Sequence, residues 1–187
     1  SAQTAARTFT GWTHDNNGLY VAASNISSKS AEVTHTLKDS TGERYDNFTY
    51  SASGLTSSTW YHIRYPYYTY TSGDAYEIRW KVRVNSFTGP NVHFRHAALA
   101  NDYWTTGLTS RGITSSDVGK GWQEKSMSRT ITGSSMTNSS GTSYNLAPVL
   151  EIYTDDLKNS TASVNFDIKD MVIINKTKDK LLQSNCD

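Results

Sequence analysis

Hydrophobic and polar residues alternate with period two through most of this chain. The clearest case is AYEIRWKVRV, residues 75–84, where Tyr76, Ile78, Trp80, Val82 and Val84 fall on one side and Glu77, Arg79, Lys81 and Arg83 on the other. Strict alternation places one face of a strand in a core and the other in water. AEVTHTL sets Val33, His35 and Leu37 against Thr34 and Thr36, and NVHFRHAAL sets Val92, Phe94 and His96 against His93 and Arg95. YDNFTYSA, WQEKSMSRTIT, APVLEIYT and SVNFDIKDMVII read as further strands, with turn signals such as DNNG and STG between segments. Pro66 separates WYHIRYP from YYTYT and confines that pair to an edge or a kink. No segment carries the helical period over ten residues or so. The pattern predicts an all-β fold with under about a tenth of its residues in helix, an antiparallel β-sandwich of two sheets with roughly eight to eleven strands. The expected core is Tyr76, Ile78, Trp80, Val82, Phe94, Ile131, Leu150, Ile152, Phe166 and Ile168, with Trp122 beside them.

Length and composition narrow the picture. A chain of 187 residues suits one domain with a sizeable core. Charged residues make up only 19%, while Ser and Thr supply roughly a quarter of the chain, a balance that favours strands and turns. Residues 1–6 and 176–187 read as a tether and a tail around a sandwich at 7–175. A net charge of +1 gives no electrostatic footprint for nucleic acid or an anionic membrane. The single cysteine, Cys186, allows neither an internal disulfide nor a cysteine-based metal site. No apolar run approaches the length of a membrane span, and the start lacks the features of a signal peptide, as though the chain were excised from a larger protein.

Catalytic chemistry finds little support. Glycoside hydrolysis needs two carboxylates held across a cleft, and nothing pairs any two of Glu77, Glu151 and Asp155. No base and orienting acid gather around a serine. His93 and His96 are three apart on a strand, so they point to opposite faces and do not share a metal ion without a bulge. Aromatic residues are the more telling feature. Half of the 12 tyrosines lie in residues 61–80: Tyr61, Tyr65, Tyr67, Tyr68, Tyr70 and Tyr76. Those around Pro66 fall on both parities, so one or two of them are expected to face water. In NDYW, Tyr103 and Trp104 sit in an aperiodic stretch among Asn, Asp and Thr. Flat rings stack on the apolar faces of sugars, while planar polar groups bond the hydroxyl edges. The expected sugar contacts are Trp104, Tyr103, Tyr67, Tyr68 and Tyr70 as rings, with Arg79, His93, Arg95, Gln123, Glu151 and Tyr153 as polar partners.

The order AYEIRWKVRV, GWQEKSMSRTI, APVLEIYT and VNFDIKDMVI resembles the second half of jelly-roll carbohydrate-binding modules, the xylan-, glucan- and mannan-binding β-sandwich group attached to glycanases. The likeness covers roughly residues 74–174. In that group the last strand reads aromatic-x-Ile-Asp-Asp-Val, whereas here it is Phe166, Asp167, Ile168, Lys169, Asp170, Met171, with Lys169 in place of the first Asp. The opening AQTAARTFTGWTHDNNG is similar, more weakly, to junction segments of phage minor tail proteins. The resemblance implies a jelly roll that is not an enzyme and that anchors a parent protein or phage tail to a polysaccharide or bacterial cell-surface glycan, in an extracellular setting, secreted or displayed on a virion. Binding would need no cofactor. The resemblance also implies a structural Ca²⁺ with Asp170 as local ligand; the residues themselves read equally as a β-bulge at Lys169–Asp170 with Asp170 half exposed. A structural or protein-interaction sandwich of a tail or surface protein, and a small jelly-roll polysaccharide lyase or hydrolase, are the alternatives.

Overall fold

The computed structural model describes residues 2–3, 7–9, 13–14, 20–23, 31–40, 42–53, 60–65, 68, 70–71, 73–89, 92–100, 103–105, 112–130, 145–153 and 161–182. All strand ladders among them are antiparallel and form two sheets. The first contains β1 (Ala2–Gln3), β5 (Ala31–Ser40), β6 (Glu43–Ser53), β13 (Thr161–Asn175), β8 (Ala75–Thr88) and β11 (Gln123–Thr130) in that order, with β2 (Arg7–Phe9) paired to β5 and β14 (Lys180–Leu181) paired to β13. The second runs β10 (Tyr103–Thr105), β9 (Val92–Ala100), β12 (Asn145–Tyr153), β7 (Trp60–Arg64), β4 (Tyr20–Ala23) and β3 (Thr13–His14). Among the described residues the only helix is one 3₁₀ turn, Ser115–Asp117. Thr114 caps it: its hydroxyl accepts from the Ser116 amide at 3.3 Å, and its own amide donates to Asp117 Oδ2 at 2.9 Å.

Alternation decides which residues enter the core. On β8, Tyr76, Ile78, Trp80, Val82 and Val84 are all buried, and on β13 so are Ala162, Val164, Phe166 and Ile168. They cluster with Val33, Phe48 and Tyr50 of the same sheet and with Ile63 and Leu150 of the other, so one core joins both sets of strands. Phe48 and Phe166 stack at 5.4 Å across the β6–β13 ladder. Of the residues expected inside, Phe94 and Ile152 lie on strands but their side chains fall outside the described residues, as does Ile131 altogether. His35 takes a core position at the rim, where its Nε2 lies 2.8 Å from Asp46 Oδ1 and its ring 5.0 Å from Phe48. A buried polar group is tolerated when it is bonded in this way.

The β13–β8 register shifts between Lys169 and Val172, and Asp170 adopts φ 56° there. The extra residue is a β-bulge, and Asp is among the few side chains that accept a left-handed backbone. Residues 176–182, expected as tail, turn back so that β14 pairs with Ile174 and Asn175, while Leu182 packs against the core. Buried Asn175 donates to Asp74 Oδ2 at 2.8 Å, its Oδ1 accepts from the Lys178 amide at 2.9 Å, and Lys178 Nζ lies 3.4 Å from Asp74. The amide of Lys176 also donates to the Ala75 carbonyl at 2.8 Å. The strand–turn–strand unit across residue 175 is thereby fastened to the start of β8.

Candidate functional site

The face of the eight-stranded sheet that points away from the core carries the densest polar network among the described residues. At its centre lies Asp167, which alternation assigns to the outer face of β13 and which is nonetheless only 2% exposed. Its neighbours in register are Asn47 on β6 and Arg83 on β8. Asp167 Oδ1 accepts from Asn47 Nδ2 at 2.7 Å; Oδ2 accepts from Arg83 Nε at 2.8 Å and from Asn85 Nδ2 at 3.0 Å. One step along the strand, Asn165 Oδ1 accepts from Asn47 at 3.0 Å and from Asn85 at 2.8 Å, and Asn165 Nδ2 donates to Thr49 Oγ1 at 2.7 Å. Three adjacent strands thus fix a planar array of amide, carboxylate and guanidinium groups.

Two rings flank this array. Tyr45, on the outer face of β6, meets Trp122, just before β11, edge to face at 5.7 Å. The Arg83 guanidinium lies 4.4 Å from the Trp122 ring centre and 5.0 Å from that of Tyr45, and Lys169 Nζ lies 4.3 Å from Trp122. Burial acts to lower the Arg83 pKa, but the hydrogen bond and charge of Asp167, with Tyr45 and Glu43, outweigh it and hold the guanidinium above its ordinary value. Next to the rings, along β8, a groove of about 440 Å³ is lined by residues that include Arg79, Lys81, Glu124, Ser126, Asp170 and Val172.

The sequence-predicted contacts are divided by the fold. Arg79 is exposed on this outer face, bonded to Glu77 at 2.9 Å, and lines the groove. Gln123 pairs with Val82 and so turns toward the core side, where its Nε2 donates to Asp117 Oδ1 at 3.4 Å; it does not join the face. His93, Arg95, Glu151 and Tyr153 all belong to the six-stranded sheet, where His93 pairs with Glu151 and Arg95 with Val149. Tyr103 and Trp104 lie not in a loop but in the edge strand β10, Trp104 opposite Leu99 of β9. The side chains of these six residues, and Tyr67 entirely, fall outside the described residues. Of the tyrosines around Pro66, Tyr65 and Tyr68 are buried in the core, at 6% and 8% exposure, and Tyr70 packs partly against it.

Trp122, assigned to the core from sequence, stands instead on the outer face, half-buried between Tyr45, Arg83 and Lys169. Asp170 is exposed at the bulge and lies 3.6 Å from Lys81. Among the described residues no three His, Cys, Asp or Glu side chains gather as a metal site. Sequence reasoning missed Tyr45, Asn47, Asn85, Asn165 and Asp167. The available signal was the polar parity of β6 and β13, on which Thr49 and Asn47 face Asn165 and Asp167 across the ladder, with Tyr45 two residues before Asn47 in the same parity.

No protein-family model matches the chain, and no curated protein does. Solved structures do. A family 4 carbohydrate-binding module superposes with a TM-score of 0.52 at 14% identity, covering 95% of this chain and 95% of that one. A structure from work on the promiscuous specificity of β-sandwich carbohydrate-binding modules gives 0.51 at 13% identity, covering 84% of this chain and 57% of that one. A family 11 module from Clostridium thermocellum, in complex with a β-1,3-1,4-mixed-linked tetrasaccharide, reaches 0.47 at 12% identity, covering 89% and 93% of the two chains. The chain has the β-sandwich fold of carbohydrate-binding modules.

Proposed function

We propose that this chain is a non-catalytic, jelly-roll carbohydrate-binding module that holds a larger extracellular protein or particle to a polysaccharide or cell-surface glycan. The observation that carries the reading is the outer face of the eight-stranded sheet, where Tyr45 and Trp122 stand beside the fixed Asn47–Asp167–Arg83 array. Rings stack on sugar faces, and pre-positioned planar donors and acceptors bond hydroxyl edges at little entropic cost. The 440 Å³ groove alongside extends the face in the direction of β8. Hydrolysis is the weaker reading, because both Asp167 oxygens are spent on Asn47, Arg83 and Asn85 and Glu77 is paired with Arg79. Binding here requires no metal or organic cofactor.

Titration of intrinsic fluorescence against soluble xylan, mixed-linkage glucan, galactomannan and bacterial cell-wall polysaccharide tests the reading. At least one should bind the native chain, and Trp122→Ala should lose at least about tenfold in affinity while melting within a few degrees of the parent. Trp104→Ala, on the edge strand of the other sheet, is the comparison. If Trp104→Ala loses binding and Trp122→Ala keeps it, the site belongs to the six-stranded sheet.

A further inference from the structure

Trp122 stands one residue before the β11–β8 ladder, which begins at Gln123–Val82. Its backbone is thus outside the ladder, and its place is set by the segment that delivers it. Ile113, 2% exposed, anchors that segment in the core. After the 3₁₀ turn, Val118 forms a single parallel bridge with Val84, and the Gly119 amide donates to the Val84 carbonyl at 3.3 Å. Between Val118 and Gln123 the chain reverses, to run antiparallel to the same strand β8. Gly119 and Gly121 make the reversal with φ 80° and 72°. Open space surrounds both, so it is the backbone conformation that asks for glycine there.

One side chain ties the two sides of this reversal together. Asp117 Oδ2 accepts from the Thr114 amide at 2.9 Å, and its Oδ1 accepts from Gln123 Nε2 at 3.4 Å. The Asp117 carbonyl also accepts from the Lys120 amide at 3.3 Å. Gln123 is thereby held on the core side of β11, and alternation turns the residue before it, Trp122, to the outer face. There the ring meets Tyr45, Arg83 and Lys169. A binding group is effective only when the residues behind it hold it within about 0.5 Å of its productive place. Asp117 and Gln123 stand behind Trp122 in this sense.

We propose that Asp117 is the positioning residue for Trp122: it touches no sugar, but it sets where the ring stands and so how tightly the glycan is held. The second part rests on the glycan-binding reading above. The test follows the ring itself. The chain has five tryptophans, and labelling with 5-fluorotryptophan gives each a ¹⁹F resonance, that of Trp122 being identified by Trp122→Phe. Asp117→Ala should shift or broaden the Trp122 resonance and leave that of buried Trp80 in place. It should also weaken binding to a polysaccharide that the native chain holds at least about fivefold, with the melting temperature within a few degrees of the parent. In a Trp122→Ala background the same substitution should weaken binding by less than about twofold, because its effect runs through the ring. Asp117→Asn keeps an acceptor for the Thr114 amide and offers an amide to the Gln123 side-chain oxygen, so it should recover most of the affinity. Thr114→Val, which removes only the hydroxyl that caps the turn, should leave resonance and affinity unchanged. An unmoved Trp122 resonance in folded Asp117→Ala overturns the proposal, as does an equal loss of binding with and without Trp122. Thr114→Val moving the resonance as far as Asp117→Ala also overturns it, since turn stability alone would then account for both. A Trp122 resonance that moves while no polysaccharide binds the native chain upholds the placement of the ring and removes the glycan reading, with the affinity that rests on it.

Discussion

Asp167 shows what alternation tells and what it leaves out. Its parity places it on the solvent side of β13, and it is there, but it is almost fully covered by residues from both neighbouring strands. Parity reports a face; depth depends on which side chains arrive from strands distant in sequence. The same limit explains Trp122, whose large ring suggests core until Tyr45, Arg83 and Lys169 are seen around it. Removing the Asp167 carboxylate takes away the Arg83 ion pair and one acceptor each from Asn47 and Asn85, which keep Asn165 Oδ1. Because the Arg83 side chain is 30% exposed, solvent offsets part of that loss. Asp167→Ala should cost about 2–3 kcal/mol in chemical denaturation, the range for a hydrogen-bonded charged group with a partly wet partner. A cost near zero would mean that the array is held by packing rather than by its central anion.

The strands were the most legible elements. The phase of β8 and β13 is written in their alternation, and the bulge in β13 is written where FDIKDMVI loses it at Lys169–Asp170. The Tyr-rich segment was less so. Rings on both parities around Pro66 suggested a wet face, but the Tyr65 amide donates to the Pro148 carbonyl at 3.0 Å, fastening the chain after β7 where Tyr65 and Tyr68 enter the core. NDYW lacks a local period because its strand is imposed by pairing with β9, a tertiary effect that propensity does not carry. Two stability measurements probe these elements. Phe166→Ala, which empties a fully buried position against Phe48, should cost about 3–5 kcal/mol. At the bulge, Asp170→Gly should be neutral within about 0.5 kcal/mol or stabilising, while Asp170→Val should cost about 1–2 kcal/mol, since a β-branched residue resists positive φ.

For the whole molecule, the same buried tyrosines set a pH limit. Burial pushes the Tyr68 hydroxyl above the usual tyrosine range, and burial with the charge of Tyr76 does so for Tyr70, which is more open to solvent and contributes less. A raised folded pKa favours the neutral form, so the stabilisation is complete below about pH 10 and is lost as pH climbs through the raised values. Melting temperature should hold steady from about pH 7 to about pH 9 and fall above about pH 10, with Tyr68→Phe blunting the fall. Far-ultraviolet circular dichroism should be dominated by strand throughout the stable range.

The central position of β13 has a mechanical meaning. The strand is clamped between β6 and β8, and its far end is fastened by Asn175 to Asp74. If a sugar chain is gripped on the sheet face and tension is applied at the residue 175 end, the pull runs along β13. Its ladder bonds on both sides stand across that direction and are strained together, in shear, rather than parted one at a time. A load along this axis would sooner pull the sugar from its seat than unravel the protein that holds it.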